Sequence, residues 1–187
     1  MSNINITSIA IIGCGFVADY YLTTLKNYPE LKITGVYDLD LARSQDFAQY
    51  HGLDIYQSLD ELLGDRQVQL VVNLTNPKSH FEINLACLLA DKHVYSEKPL
   101  AMELEEAEKL VAIAEQKGLH LSSAPCSLLG ETAQTIWKAL REEIVGKVYV
   151  VYSEMDDGLM HKMSYQTWRS ESGIPWPYKD EFEVGCT

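Results

Sequence analysis

Apolar positions in the first two thirds of the chain come in short β-branched runs, each followed by a stretch with helical spacing. Ile6 to Ile12 is apolar on both faces, as a buried parallel strand should be, and predicts strand one. Val17 to Asn27 predicts a helix, with Pro29 marking its exit. Lys32 to Asp38 predicts strand two. Asp40 is placed to cap a helix through about Tyr50, and Gly52 to end it. A weak third strand is expected at Asp54 to Tyr56. The S-x-x-E pattern at Ser58–Glu61 predicts a capping box and a short helix to about Leu63. Gln69 to Leu74 predicts strand four. Asn76-Pro77 has the form of an N-cap with proline in the first helical position, opening a helix through His80 to Ala90. Strand five is expected at Lys92 to Ser96. A helix follows at Glu103 to Lys117, with Ala107, Leu110, Val111 and Ala114 on one face and Gly118 as its stop. His120 to Ala124 predicts strand six.

Strands alternating with helices in this way predict an α/β fold, a doubly wound parallel (Rossmann) sheet of order 3-2-1-4-5-6. Its ligand would lie across the carboxyl ends of strands one and four. After Ala124 the texture changes. A helix is expected from about Thr132 to Glu143, ended by Gly146, and then a longer strand from Lys147 to Met155. The stretch 156–187 is aromatic and irregular, with Trp168, Pro175, Trp176 and Pro177. These features predict a first domain over residues 1–124 and the incomplete start of an α/β second domain over 125–187. Too little chain follows the long strand to finish a second sheet, so the sequence reads as stopping mid-domain.

Composition narrows the choice of partners. The chain of 187 residues is 47% hydrophobic and 22% charged, an ordinary globular mixture. Its net charge of −12 disfavours nucleic acid and anionic membranes. Any anionic ligand must then be held by local groups rather than by bulk charge. No apolar stretch is long enough to span a membrane, and the N-terminus lacks the basic region of a signal peptide. Cys14, Cys87, Cys126 and Cys186 form no C-x-x-C pair and have no histidine cluster nearby, so no metal site is expected. Free thiols suit a reducing cytoplasm.

Candidate chemistry begins where strand one stops. Gly13-Cys14-Gly15-Phe16-Val17-Ala18 has the form G-x-G-x-x-A. Gly13 suits a tight strand-to-helix turn, Gly15 leaves room for a diphosphate, and Ala18 lets the helix pack closely on its strand. Alone this pattern is weak. Asp38 strengthens it, because a carboxylate ending strand two is placed to accept the ribose hydroxyls of a dinucleotide. Two further stretches fall at strand ends. Thr75-Asn76-Pro77-Lys78-Ser79-His80 follows strand four, where the plainer reading is a helix cap with a first-turn histidine. Glu97-Lys98-Pro99 follows strand five, where the proline restricts Lys98 to extended backbone and could aim its amine at a substrate hydroxyl.

Together these residues resemble the Gfo/Idh/MocA oxidoreductase family, named for glucose–fructose oxidoreductase and inositol dehydrogenase. The E-K-P tripeptide is the most discriminating of them. The usual T-P-N order after strand four is transposed here to Thr75-Asn76-Pro77. The resemblance implies an NAD(P)-binding Rossmann domain followed by a substrate domain with an open sheet that often forms the oligomer interface, so a homo-oligomeric full-length protein is expected. It implies hydride transfer between nicotinamide and a hydroxyl or carbonyl carbon of a sugar, cyclitol or related small molecule. Gly13, Gly15, Phe16, Val17 and Ala18 would hold the diphosphate, and Asp38 the ribose. Thr75, Asn76, His80 and Glu97 would lie on the nicotinamide side, and Lys98 would be the catalytic contact. Asp38 favours NAD over NADP, and Arg43 is read as an exposed helical residue. The family's remaining acid–base residues fall past Thr187, so this chain is expected to be poorly active. Trp168, Arg169, His161 and Tyr165 are candidates for the substrate side or for packing. The alternative is a dinucleotide-binding regulator or sensor without catalysis. A plainer one is a Rossmann domain for another nucleotide in which Lys98 is structural.

Overall fold

A computed structural model describes residues 6–124, 126–154, 162–179 and 182. Five parallel strands form one sheet: β1 (Thr7–Ile12), β2 (Leu31–Tyr37), β3 (Leu70–Asn73), β4 (His93–Ser96) and β5 (Leu121–Ser123), in the order β2-β1-β3-β4-β5. Between them run α1 (Phe16–Leu25), α2 (Leu41–His51), α3 (Leu59–Gly64), α4 (His80–Leu89) and α5 (Leu104–Lys117), with α6 (Glu131–Arg141) following. The expected third strand shrinks to a single parallel bridge, Val36 to Ile55. The amide of Val36 donates to Asp54 and that of Tyr56 to Val36, and the chain then turns into the Ser58 cap of α3. That bridge still occupies the edge beside β2, so the predicted strand order holds with one strand fewer.

Alternation along the buried strands builds two cores. Ile9 and Ile11 of β1 point to one face, where they meet Ala18 and Leu22 of α1 and Phe47 and Ala48 of α2. Ala10 and Ile12 point to the other, where they meet Leu62 of α3, Cys87 and Leu88 of α4, and Leu110 and Ala114 of α5. The residues of β1 from Ile9 to Ile12 are at most 1% exposed, which is why the run reads as continuously apolar. A register shift falls between Ile9 and Ala10, opposite Thr34, whose hydroxyl donates to the Ile9 carbonyl.

The helix signals act at the expected positions. The carboxylate of Asp40 accepts from the amides of Ala42 and Arg43, and Gly52 ends α2 in the left-handed region at φ +68°. Ser58 accepts from the Glu61 amide, while the Glu61 carboxylate returns to the Gln57 amide rather than to Ser58 itself. Asn76 caps a short 3₁₀ turn, Pro77–Ser79, that leads into α4.

The chain divides into two compact units. Pro125–Ser164 forms the second, and residues from Tyr165 return to the first. The amide and hydroxyl of Ser172 donate to Asp19 of α1, and Ile174 packs beside the core of Val36 and Phe47. In the second unit α6 is the main element. Of the strand expected from Lys147 to Met155, residues 147–154 form none, and Met155 lies outside the described residues. A strand needs a neighbour to satisfy its ladder groups, and no described residue supplies one. The side chains from Tyr149 to Tyr152 are exposed.

Gly13 has φ +94°, and a β-carbon there would lie 2.7 Å from the carbonyl carbon and oxygen of Leu74. Gly52 has a positive φ but open space around it. Gly52→Ala is expected to lower unfolding free energy by about 1 kcal/mol from backbone conformation alone. Gly13→Ala should cost roughly 3 kcal/mol or more, since strain and a backbone clash combine. Urea denaturation measures both, and equal losses would show that the close approach to Leu74 carries no cost.

Candidate functional site

The glycine turn is closed by a carboxylate from the neighbouring strand. The amide of Gly13 donates to the Tyr37 carbonyl at 2.8 Å. The next amide, of Cys14, donates to Oδ2 of Asp38 at 2.9 Å, and the Asp40 amide donates to Oδ1 at 2.9 Å. Asp38 is 7% exposed, so these two amides fix its carboxylate at the rim of the sheet. The guanidinium of Arg43 stands 3.6 Å from Asp38 and 3.7 Å from Asp40. Burial, and then the Asp38 charge, push the Cys14 thiol up to about 12, so it stays a neutral packing group. Gly15 is the N-cap of α1 and makes no side-chain cap bond. A β-carbon at Gly15 would meet nothing within 4 Å, so the space in front of the helix N-terminus is open.

A buried polar network holds the end of β3. Asn73 Oδ1 accepts from the hydroxyl of Thr75 at 2.7 Å and from its amide at 3.2 Å. Asn73 Nδ2 donates to Asn84 at 2.8 Å, and Asn84 donates to Ser96 and to the Leu100 carbonyl. His80 is fully buried, with Nδ1 2.6 Å from the Pro99 carbonyl and Nε2 3.0 Å from the Thr75 carbonyl. It ties the loop after β3 to the loop after β4, and the cleft opens on other residues.

Glu97 is fixed at both oxygens. The hydroxyl of Tyr21, on α1, donates to Oε1 at 2.6 Å, and the Lys98 amide donates to Oε2 at 3.0 Å. Burial and the adjacent Glu97 carboxylate push the Tyr21 phenol well above its ordinary value, so it remains a donor. The Lys98–Pro99 peptide is cis, and the Lys98 side chain is exposed.

The ends of β1, β2 and β3 border a cavity of about 760 Å³. Among the residues singled out from the sequence, Gly13, Gly15, Phe16, Val17, Asp38, Thr75 and Asn76 line it. Ala18 packs beneath the turn at 0% exposure. His80, Glu97 and Lys98 stand outside its lining. A further wall comes from Ile174, Pro175, Trp176 and Pro177, which sequence reasoning marked only as irregular and aromatic. No periodicity announces that wall; the only signal is its density of proline and tryptophan. Trp168 and Tyr165 hold it through ring contacts with Trp176 at 5.1 and 6.1 Å. Arg169 donates to the carbonyls of Gln166 and Trp168, a local role. His161 lies outside the described residues.

Residues 7–124 match the family described as an oxidoreductase family with an NAD-binding Rossmann fold, GFO_IDH_MocA. The chain belongs to that family. Among curated relatives of this Gfo/Idh/MocA chain, the trans-1,2-dihydrobenzene-1,2-diol dehydrogenase of Bos taurus is 28% identical over 166 residues, 87% of this chain and 50% of the relative. Among solved structures, the WlbA dehydrogenase of Chromobacterium violaceum, in complex with NADH and UDP-GlcNAcA, is 25% identical with a TM-score of 0.73, over 80% of this chain and 43% of that one. A biliverdin reductase from Synechocystis sp., solved with biliverdin and NADP+, is 29% identical with a TM-score of 0.65, over 72% and 43% respectively. The chain therefore spans about half the length of the dehydrogenases it matches, or less. No helix among the described residues is long and apolar enough to cross a membrane.

Asp19, buried at 2% exposure, adds a pH-dependent element. Burial raises its pKa, but hydrogen bonds from Ser170, Ser172 and His51 outweigh that and hold it below the usual carboxylate value. A carboxylate whose folded pKa is depressed stabilises the fold above its unfolded pKa and loses that contribution as pH falls through the folded one. Asp19→Asn is expected to lower stability by about 1–3 kcal/mol at pH 7. The gap to the wild-type chain should shrink as the pH drops below about 4. Denaturation series at several pH values measure it, and a gap independent of pH would contradict the assignment.

Proposed function

We propose that this chain forms the dinucleotide half of an NAD-dependent oxidoreductase acting on a hydroxyl or carbonyl carbon of a sugar-like or related small molecule. The observation that carries this reading is the cavity shared by the glycine turn, Asp38 and the loop after β3. Its parts have the chemistry a dinucleotide needs. The open space at Gly15 admits a diphosphate to the uncapped amides of α1. The rim carboxylate of Asp38 accepts ribose hydroxyls and opposes a 2′-phosphate, which favours NAD over NADP. Thr75 and Asn76 border the far end, on a loop held rigid by Asn73 and His80.

A nicotinamide bound there would take or give the hydride. The chain's own part is to place the substrate and handle the proton. Lys98, at the end of β4, carries an exposed amine while Glu97 anchors its backbone amide. It would hold the substrate hydroxyl and move its proton at Nζ. Support for the substrate class comes from the relatives, one named for a dihydrodiol and another solved with a nucleotide sugar. The remaining acid–base groups, most of the substrate pocket and the subunit interface of a homo-oligomer are assigned to the part of the relatives' length that this chain does not span.

Titration with NADH and NADPH, followed by quenching of tryptophan fluorescence, tests the reading. NADH should bind at least about tenfold more tightly than NADPH, and Asp38→Ser should narrow that preference. Binding of neither cofactor would refute the assignment, and equal binding would refute the role of Asp38. In an active form of the protein, Lys98→Ala should lower kcat by about 100-fold or more while NADH affinity stays within twofold. Unchanged turnover would make Lys98 structural, and cofactor binding without any turnover would favour the sensor.

A further inference from the structure

Ile174, Pro175, Trp176 and Pro177 line the cavity, yet none belongs to the glycine turn or to a strand end. What holds them there is a carboxylate on α1. Asp19 Oδ2 accepts from the Ser172 hydroxyl at 2.7 Å and from its amide at 3.2 Å. His51, the last residue of α2, meets Oδ1. The segment then turns tightly: the Ser170 amide donates to the Ile174 carbonyl at 2.9 Å, the Ile174 amide donates to the Ser170 hydroxyl at 3.1 Å, and the Gly173 amide donates to the Ser170 carbonyl at 3.0 Å. This turn seats Ile174 against the core and presents the following residues to the cavity. A neighbouring hollow of about 380 Å³ shows where the turn runs, since it is lined by Ser172 to Pro175 together with Asp40 and Arg43.

We propose that Asp19 is a positioning residue for the dinucleotide: by holding Ser172 it sets Ile174 to Pro177 as an apolar wall at the adenosine end of the cleft. The proposal rests on the reading of that cleft as a dinucleotide site. The adenosine end is assigned because Asp40 and Arg43, beside Asp38, are the polar residues that share both hollows with the turn. One helix then does two things. The N-terminus of α1 faces the diphosphate position, and its first turn anchors the wall, so both are set by the placement of a single rigid element. The ring contacts of Trp176 with Trp168 and Tyr165 brace the wall.

Ser172→Ala in the full chain removes the shorter bond to Asp19 and leaves the core side chains in place. The probes are NADH and ADP-ribose. Both should bind about tenfold more weakly to Ser172→Ala, and Ser172→Thr, which keeps the hydroxyl, should restore affinity to within about threefold. Circular dichroism on the same samples separates this from unfolding, because a purely structural role would lower the melting temperature and leave the affinity of the folded fraction unchanged. Wild-type affinity in folded Ser172→Ala overturns the proposal and leaves NADH binding standing. A loss confined to NADH, with ADP-ribose unaffected, overturns the placement at the adenosine end. Failure of the wild-type chain to bind either probe overturns both this proposal and the reading beneath it.

Discussion

The backbone of Gly13 lies so close to that of Leu74 and Thr75 that a β-carbon could not fit between them. This contact joins the end of β1 to the end of β3, the two strands between which the sheet's winding reverses. At such a point the following helices leave to opposite faces and a crevice opens between the loops. Here the crevice is narrow at its base because a residue without a side chain lets the two loops touch. The same turn feeds the Cys14 amide to Asp38, so β2 is drawn into the junction as well. Three strand ends are thus set by two backbone amides, one carboxylate and the absence of one methyl group.

The loop after β3 is held by polar groups in an apolar interior. Asn73, His80, Asn84 and Ser96 are all fully buried. Unpaired, each would cost more than an exposed contact returns, and each has a partner. Such a network restrains the loop, since moving Thr75 would break its two bonds to the buried Asn73 side chain. His80 belongs to this scaffold: its ring nitrogens face the backbone carbonyls of Pro99 and Thr75, and of these two residues Thr75 lines the cleft.

The chain of βα units was legible because its physics is local. Alternation along β1, the carboxylate at Asp40 and the serine at Ser58 each act within a few residues, and each does what its pattern foretold. Gly13 and Asp38 were legible for a different reason, since their spacing reflects the length of one βαβ unit. What escaped prediction is non-local. Ser172 and Asp19 are separated by 153 residues, and nothing near either residue marks it as the other's partner. A serine in an irregular stretch and an aspartate in the first turn of a helix both have ordinary local explanations. Residues 147–154 failed in the opposite sense. Their composition favours a strand, but strand formation depends on a neighbour that the described residues lack.

Charge explains why the cleft has to be built from backbone. The chain carries 27 acidic against 15 basic residues, so a dinucleotide approaches against the overall field. Screening confines that repulsion to about 10 Å at ordinary salt, and inside this distance the local groups decide. At the proposed diphosphate position those groups would be the uncapped amides of α1, which bring partial positive charge without a lysine or arginine. At the rim, Asp38 and Asp40 bring two negative charges and Arg43 returns one positive charge to them. On the proposed reading, a ribose hydroxyl pair would gain acceptors here, while a 2′-phosphate would compete with both carboxylates for Arg43. The apolar wall from Ile174 to Pro177 adds binding surface beside this acidic rim without adding charge of its own, which makes its placement by Asp19 matter more here than it would in a basic cleft.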